Sequence, residues 1–259
     1  MDLNLKNKVI IVTGGARGIG EGIVRVLAAE GAVAVVVGRN KEDNKKLCNE
    51  LEGEHEIFSV TAELSKPDEN QKAVDAVIKK YDCIDGLINN AGKNDGVGLE
   101  YGDYAKFMNS LHNNLVHYYF MTQCALAALK KSKGSIVNIT SKTAETGQGN
   151  TSAYAASNGG RNALTREWAI ELLKYGIRVN AVVVAECRTP QYEKWIKTFS
   201  DPHAKLRDIE SRIPLGHRMT TPEEIANMTV FLLSEQSSHT TGQLIHVDGG
   251  YIHLDRALL

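Results

Sequence analysis

Cysteine is scarce and unpatterned: Cys48, Cys83, Cys124 and Cys187 are scattered, with no Cys-x-x-Cys pair and no histidine at zinc-ligand spacing. That argues against a structural zinc or a disulfide framework and fits the reducing cytoplasm. Neither sign of charge is in excess. Thirty basic residues face thirty-one acidic ones, for a net charge of −1, so there is no basic field for nucleic acid or an anionic membrane surface. Long apolar runs are also missing. Ala32–Val37 and Ala181–Ala185 fall far short of the roughly 20 residues a spanning helix needs. Asp2, Asn4 and Asn7 precede the apolar run at Val9, an opening unlike a secretory signal, so export is not expected. No repeat, low-complexity tract or Pro/Gly-rich linker divides the chain, which reads as one domain over residues 1–259.

Apolar residues make up 42% of the chain, enough for one large core. Short β-branched runs recur at Lys8–Thr13, Val33–Val37, Glu56–Thr61, Ile84–Asn89, Ser135–Thr140, Ile177–Val184 and Leu244–Val247, with helical spacing between them. Nearly continuous apolar strands alternating with helices imply a parallel sheet covered on both faces. The expected fold is therefore a single-domain, doubly wound α/β (Rossmann) sheet of about seven strands. Helices are expected from Ile19 to Glu30, at Asp68–Tyr81 after Pro67, at Tyr101–Lys130, at Ser152–Tyr175, and from Pro222 to about Ser234. The stretch at about 186–221 breaks the alternation with Pro190, Pro202 and Pro214 and reads as a substrate-binding loop or lid.

The first strand runs into Thr13-Gly14-Gly15-Ala16-Arg17-Gly18-Ile19-Gly20 and then a helix. Glycines there permit a sharp turn and close backbone approach, and the free N–H groups of the helix start suit a pyrophosphate. At the end of the second strand, Val37-Gly38-Arg39-Asn40 offers no carboxylate to a ribose 2′-hydroxyl, while Arg39 and Arg17 suit a 2′-phosphate. NADP is therefore expected over NAD.

In order along the chain, the glycine motif, Asn89-Asn90-Ala91-Gly92, Asn114, Ser141, Tyr154, Thr189 and Asp248-Gly249-Gly250 resemble the short-chain dehydrogenase/reductase family over its whole length. The resemblance implies a dinucleotide site built from Gly14, Arg17, Gly18, Ile19, Gly20, Arg39, Glu63, Leu64, Asn90, Ala91 and Gly92. Thr189 would hold the nicotinamide carboxamide, and Glu63 stands where the family often has an aspartate. It implies further that Ser141 orients a substrate oxygen, that Tyr154 is the acid/base, that Asn114 supports a water chain, and that the enzyme is a homotetramer acting on CH–OH groups. The family's lysine four residues after the tyrosine is replaced by Asn158. Asparagine keeps hydrogen bonds for the ribose but brings no charge, so turnover near neutral pH is expected to be impaired.

Three segments narrow the likeness to bacterial L-fucose dehydrogenases: Lys142–Thr151, Leu164–Trp168 and Gly250–Leu258. The implied reaction is NAD(P)-dependent oxidation of an aldose's anomeric hydroxyl to a lactone. Glu145, Gln148, Asn150 and Glu186 are candidate sugar ligands, with Trp195 or Tyr192 as an apolar wall. No metal ligand set is expected, and His112 and His117 read as structural. Two other readings are a catalytically impaired dinucleotide-binding sensor or scaffold, supported by Asn158, and a reductase of keto-acyl or steroid-type substrates.

Overall fold

The computed structural model describes residues 2–53 and 55–255. Of the segment that narrows the likeness, Arg256 to Leu258 lie outside the described residues. Seven strands form one parallel sheet in the order β3-β2-β1-β4-β5-β6-β7. They are β1 Val9–Thr13, β2 Val33–Gly38, β3 Ile57–Thr61, β4 Gly86–Asn89, β5 Ser135–Ser141, β6 Arg178–Val184 and β7 Leu244–Val247. Alternation along β1 explains the two-sided covering. Val9 and Ile11 enter one core with α3 (Pro67–Tyr81), α5 (His117–Ser132) and α6 (Ser152–Leu172). Ile10 and Val12 enter the other, with α1 (Gly18–Ala29), α2 (Lys41–Leu51) and α9 (Pro222–Leu233). Each fully buried Val, Leu or Ile contributes roughly 1.5–3 kcal/mol, so the two cores hold the sheet rigid beneath its carboxyl edge. Strand order reverses between β1 and β4, and the crevice at that switch point is where α/β sheets bind ligands.

The expected strands all appear. Two helical expectations need correction. The single helix expected at Tyr101–Lys130 starts later, because Asp103 caps α4 (Tyr104–Leu111) by accepting from the Lys106 N–H at 2.8 Å. It is then interrupted by a π-turn at His112–Val116 before α5. Ser152–Tyr175 is α6 followed by a 3₁₀ turn at Leu173–Tyr175. The stretch at 186–221 is not wholly irregular. Thr189 and Asp201 cap α7 (Pro190–Ile196) and α8 (Pro202–Ser211), each with proline at the first helical turn, where its missing N–H costs nothing. Its two ends are tied together by the bridge between Cys187 and Thr220 and by mutual main-chain bonds of 3.0 Å.

Candidate active site

The glycine turn closes on the Asn89–Gly92 segment through Thr13. Its buried hydroxyl accepts from the main-chain N–H groups of Asn90 at 2.9 Å and Ala91 at 3.1 Å, and the Asn90 side chain donates to the Thr13 carbonyl at 2.9 Å. Gly14 and Gly18 have φ of +64° and +57°, in the left-handed region that favours glycine. A Cβ on Gly20 would overlap the Gly14 carbonyl. No side chain caps the start of α1, so its N–H groups remain free for a bound phosphate. Thr189 packs against Gly18, within 3.4 Å of where a Cβ would stand. The turn, Asn90–Gly92 and Thr189 thus lie together at the carboxyl edge of the sheet, with the uncapped start of α1 offering main-chain donors of the kind a phosphate takes.

Both arginines expected to meet a 2′-phosphate are already engaged. Arg17 pairs with Asp43 at 2.6 Å, and the more exposed Arg39 reaches Glu63 at 3.7 Å. Glu63 also accepts from the Ser65 hydroxyl at 3.1 Å. Leu64 is buried, and its carbonyl accepts from the Asn70 side chain at 2.8 Å.

Ser141 ends β5, where its hydroxyl accepts from the Thr143 N–H at 3.3 Å, and half-buried Tyr154 stands in the first turn of α6. Asn114 lies inside the π-turn, fully buried. Its side chain accepts from Lys93 N–H at 2.7 Å and donates to the Ser110 carbonyl at 3.0 Å. A π-turn displaces the backbone register by one residue, and here it frees the Asn114 carbonyl to accept at 2.6 Å from Arg161 Nε. Asn158 is fully buried with both amide atoms engaged. Its Nδ2 donates to the Tyr154 carbonyl at 2.8 Å and Thr143 at 3.5 Å, and its Oδ1 accepts from Arg161 at 3.0 Å.

The candidate sugar ligands are not brought together as a set. Glu186, partly buried, forms an ion pair with the buried Lys142. Lys142 also lies over the Tyr251 ring at 4.2 Å. Tyr192 is nearby, its phenol pushed up first by burial and then by the charge of Glu186. Because Lys142 follows Ser141 directly and Val184, two residues before Glu186, is the register partner of Ser141, this pair adjoins Ser141. Glu145 is engaged elsewhere, by His246 at 3.1 Å and by Asn162 at 3.5 Å. Gln148 and Asn150 are exposed. Trp195 is partly exposed and makes edge contacts with Tyr192 and Phe199 at 5.1 and 5.0 Å.

Glu145, His246 and His253 hold their ligand atoms within 4.8 Å of one another, a donor set able to take a divalent cation. His117 is buried, with its Nε2 3.1 Å from the Asn113 carbonyl. Lys142 and Arg161 were not singled out from the sequence. Their only signals were position: Lys142 beside Ser141, and Arg161 seven residues after Tyr154 on the same helix face.

The family model described as Enoyl-(Acyl carrier protein) reductase matches residues 14–252. The chain is a short-chain dehydrogenase/reductase. It is 36% identical over 255 residues to 3-oxoacyl-[acyl-carrier-protein] reductase FabG of Thermotoga maritima, covering 96% of this chain and all of that one. It is 34% identical to the L-fucose dehydrogenase of Bos taurus, covering 96% and 91%. The ligand-free structure of Thermoplasma acidophilum aldohexose dehydrogenase superposes with a TM-score of 0.90 at 28% identity, covering 100% and 99%. The L-fucose dehydrogenases among these relatives are mammalian, which corrects the bacterial likeness expected from the sequence. Relatives of this family act on CH–OH groups, and the chain is an oxidoreductase of that kind.

Proposed function

We propose that this short-chain dehydrogenase/reductase oxidises the anomeric hydroxyl of an aldose of the L-fucose type to a lactone, with NADP preferred over NAD. The observation that carries the sugar reading is the Lys142–Glu186 pair beside Ser141. An ammonium and a carboxylate side by side offer donors and acceptors to adjacent hydroxyls. Against an acyl chain the pair would lose its remaining water and keep only the partners it already has, whereas sugar hydroxyls would add new ones. The L-fucose and aldohexose dehydrogenases among the similar proteins support the same class.

A bound nicotinamide would accept the hydride. The chain's own residues would do the rest. Ser141 binds and polarises the substrate oxygen, Tyr154 takes the hydroxyl proton, and Asn114 fixes the helix that carries the site. Asn158 orders the Tyr154 backbone through its 2.8 Å bond. For the cofactor preference, a 2′-phosphate would draw Arg39 away from a carboxylate only loosely held at 3.7 Å. The segment at 186–221, with Trp195, serves as the substrate lid. A cytoplasmic homotetramer belongs to the same proposal. Tyr101, Tyr104, Ile170 and Leu173 lie exposed on or beside α4 and α6, the helices expected to meet a second copy.

The test is an absorbance assay of aldoses, secondary alcohols and apolar ketones with both cofactors, with product analysis. L-fucose and sugars sharing its hydroxyl arrangement should be oxidised fastest, giving lactone or its acid. Turnover of an apolar ketone with none of any aldose would overturn the reading.

A further inference from the structure

Without the family lysine, α6 has no ammonium one turn from Tyr154, yet the site does not lack a cation. Arg161 lies seven residues beyond Tyr154 on the same face, about 10 Å along the helix axis. It is 3% exposed. Every acceptor its guanidinium meets is a neutral oxygen: the Asn114 carbonyl at 2.6 Å, the Ile139 carbonyl at 3.2 Å and Asn158 Oδ1 at 3.0 Å. Among the described residues it has no ion pair. One face rests on the Tyr118 ring at 4.2 Å. Its Nη2 is buried without a partner and faces Gly92, where a Cβ would come within 2.8 Å. Gly92 itself is exposed.

A buried guanidinium with no counter-ion is a costly element, because nothing offsets its lost hydration except hydrogen bonds. Here it stands against the two asparagines of the catalytic centre. Its field already reaches their neighbours. After burial, it is the next cause that lowers His117, and Tyr118 lies within electrostatic reach of both Arg161 and Tyr154.

We propose that Arg161 is the fixed cation of this catalytic centre, a positioning residue that orients Asn158, holds the Asn114 carbonyl and supplies the positive potential that favours a phenolate at Tyr154. The inference rests on the dehydrogenase reading above. It also revises the expectation that Asn158 leaves the site impaired. Arginine does not give up its proton, so the role is electrostatic and excludes proton shuttling by this side chain.

The experiment compares the parent with Arg161→Gln, Arg161→Lys, Asn158→Lys and the double variant Asn158→Lys/Arg161→Gln. It reads the pH–rate profile of L-fucose oxidation, dinucleotide affinity by fluorescence titration, and thermal midpoints. Removing the charge should move the rising limb of the profile, which follows the Tyr154 phenolate, to higher pH by about one unit and lower the rate near pH 7 about tenfold. Arg161→Lys should keep most of the limb. Asn158→Lys should restore about tenfold in the Arg161→Gln background and clearly less than that in the parent.

An unmoved limb in Arg161→Gln would overturn the proposal, as would a loss of rate with no limb shift and no rescue. If Arg161→Gln does not fold, Asn158→Lys decides. A gain of ten- to a hundredfold near pH 7 in the parent would show that the charge was missing. If dinucleotide binds but no sugar turns over, the substrate reading fails separately. The ultraviolet phenol titration, taken as the difference between each protein and its Tyr154→Phe counterpart, then tests Arg161. The same shift supports the proposal and its absence overturns it.

Discussion

Acid should loosen this fold through one histidine. Burial, aided by the nearby Arg161 charge, pushes His117 down to about 3, whereas an unfolded histidine titrates near 6.5. The folded-state value is depressed, so below pH 6.5 the unfolded chain binds a proton that the folded chain refuses. The stability contributed by neutral His117 is thus complete above that pH and falls as pH drops toward 3. The slope approaches 1.4 kcal/mol per pH unit, which gives about 2 kcal/mol between pH 7 and pH 5.

His117→Gln removes the titration while keeping an amide that can donate to the Asn113 carbonyl, which the imidazole now meets at 3.1 Å. Urea unfolding of parent and variant at pH 7 and pH 5, at one protein concentration, isolates the effect because other titrating groups cancel in the difference. The variant should lose about 2 kcal/mol less than the parent on acidification. Equal losses in the two proteins would refute the argument.

Gly20→Ala should abolish dinucleotide binding in a fluorescence titration, because its Cβ overlaps the Gly14 carbonyl; unchanged affinity would show that the turn is not the phosphate cradle. Arg39→Ala should erase a preference for NADPH over NADH in the same assay, and a preference that survives would show that Arg39 does not meet the 2′-phosphate. Glu186→Gln should destabilise the protein by roughly 3 kcal/mol, since Lys142 is left buried and unpaired, and Lys142→Met should remove most of that penalty in the double variant; additive losses in denaturant titrations would contradict it. Glu224, held down to about 2 first by Arg218 and next by the Thr221 N–H, adds stability that is present above the usual carboxylate range and is lost as pH falls from about 4 toward 2. For this mostly exposed pair the loss is roughly 1 kcal/mol, and Glu224→Gln should flatten that part of the acid-unfolding curve.

The sheet was legible because parallel strands buried on both faces must be apolar almost throughout, and β1, β2 and β6 are. The meeting of the glycine turn with Asn90 and Ala91 was legible because the switch point between β1 and β4 brings the carboxyl ends of those two strands together. The π-turn was not, since His112–Val116 has no composition that separates it from an ordinary helix. Arg161 was hidden for a related reason. Its acceptors include the carbonyls of Asn114 and Ile139, supplied by a distorted helix and a strand, and no local pattern in α6 announces them. The pairing of Lys142 with Glu186 likewise depends on the β5–β6 register, which places two charged residues from distant parts of the chain beside one another.

The bridge between Cys187 and Thr220 has a bearing on how this scaffold diversifies. Because the two ends of the intervening segment meet at a single pair of residues, its interior can lengthen or shorten with little change in the entropy of closing it. The strands need not adjust, and the dinucleotide site keeps its contact so long as Thr189, which packs on Gly18, is retained. Residues from Pro190 to Met219 therefore form a replaceable cassette, and grafting a different one behind a retained Thr189 should retarget the enzyme to a new alcohol while leaving the hydride chemistry in place.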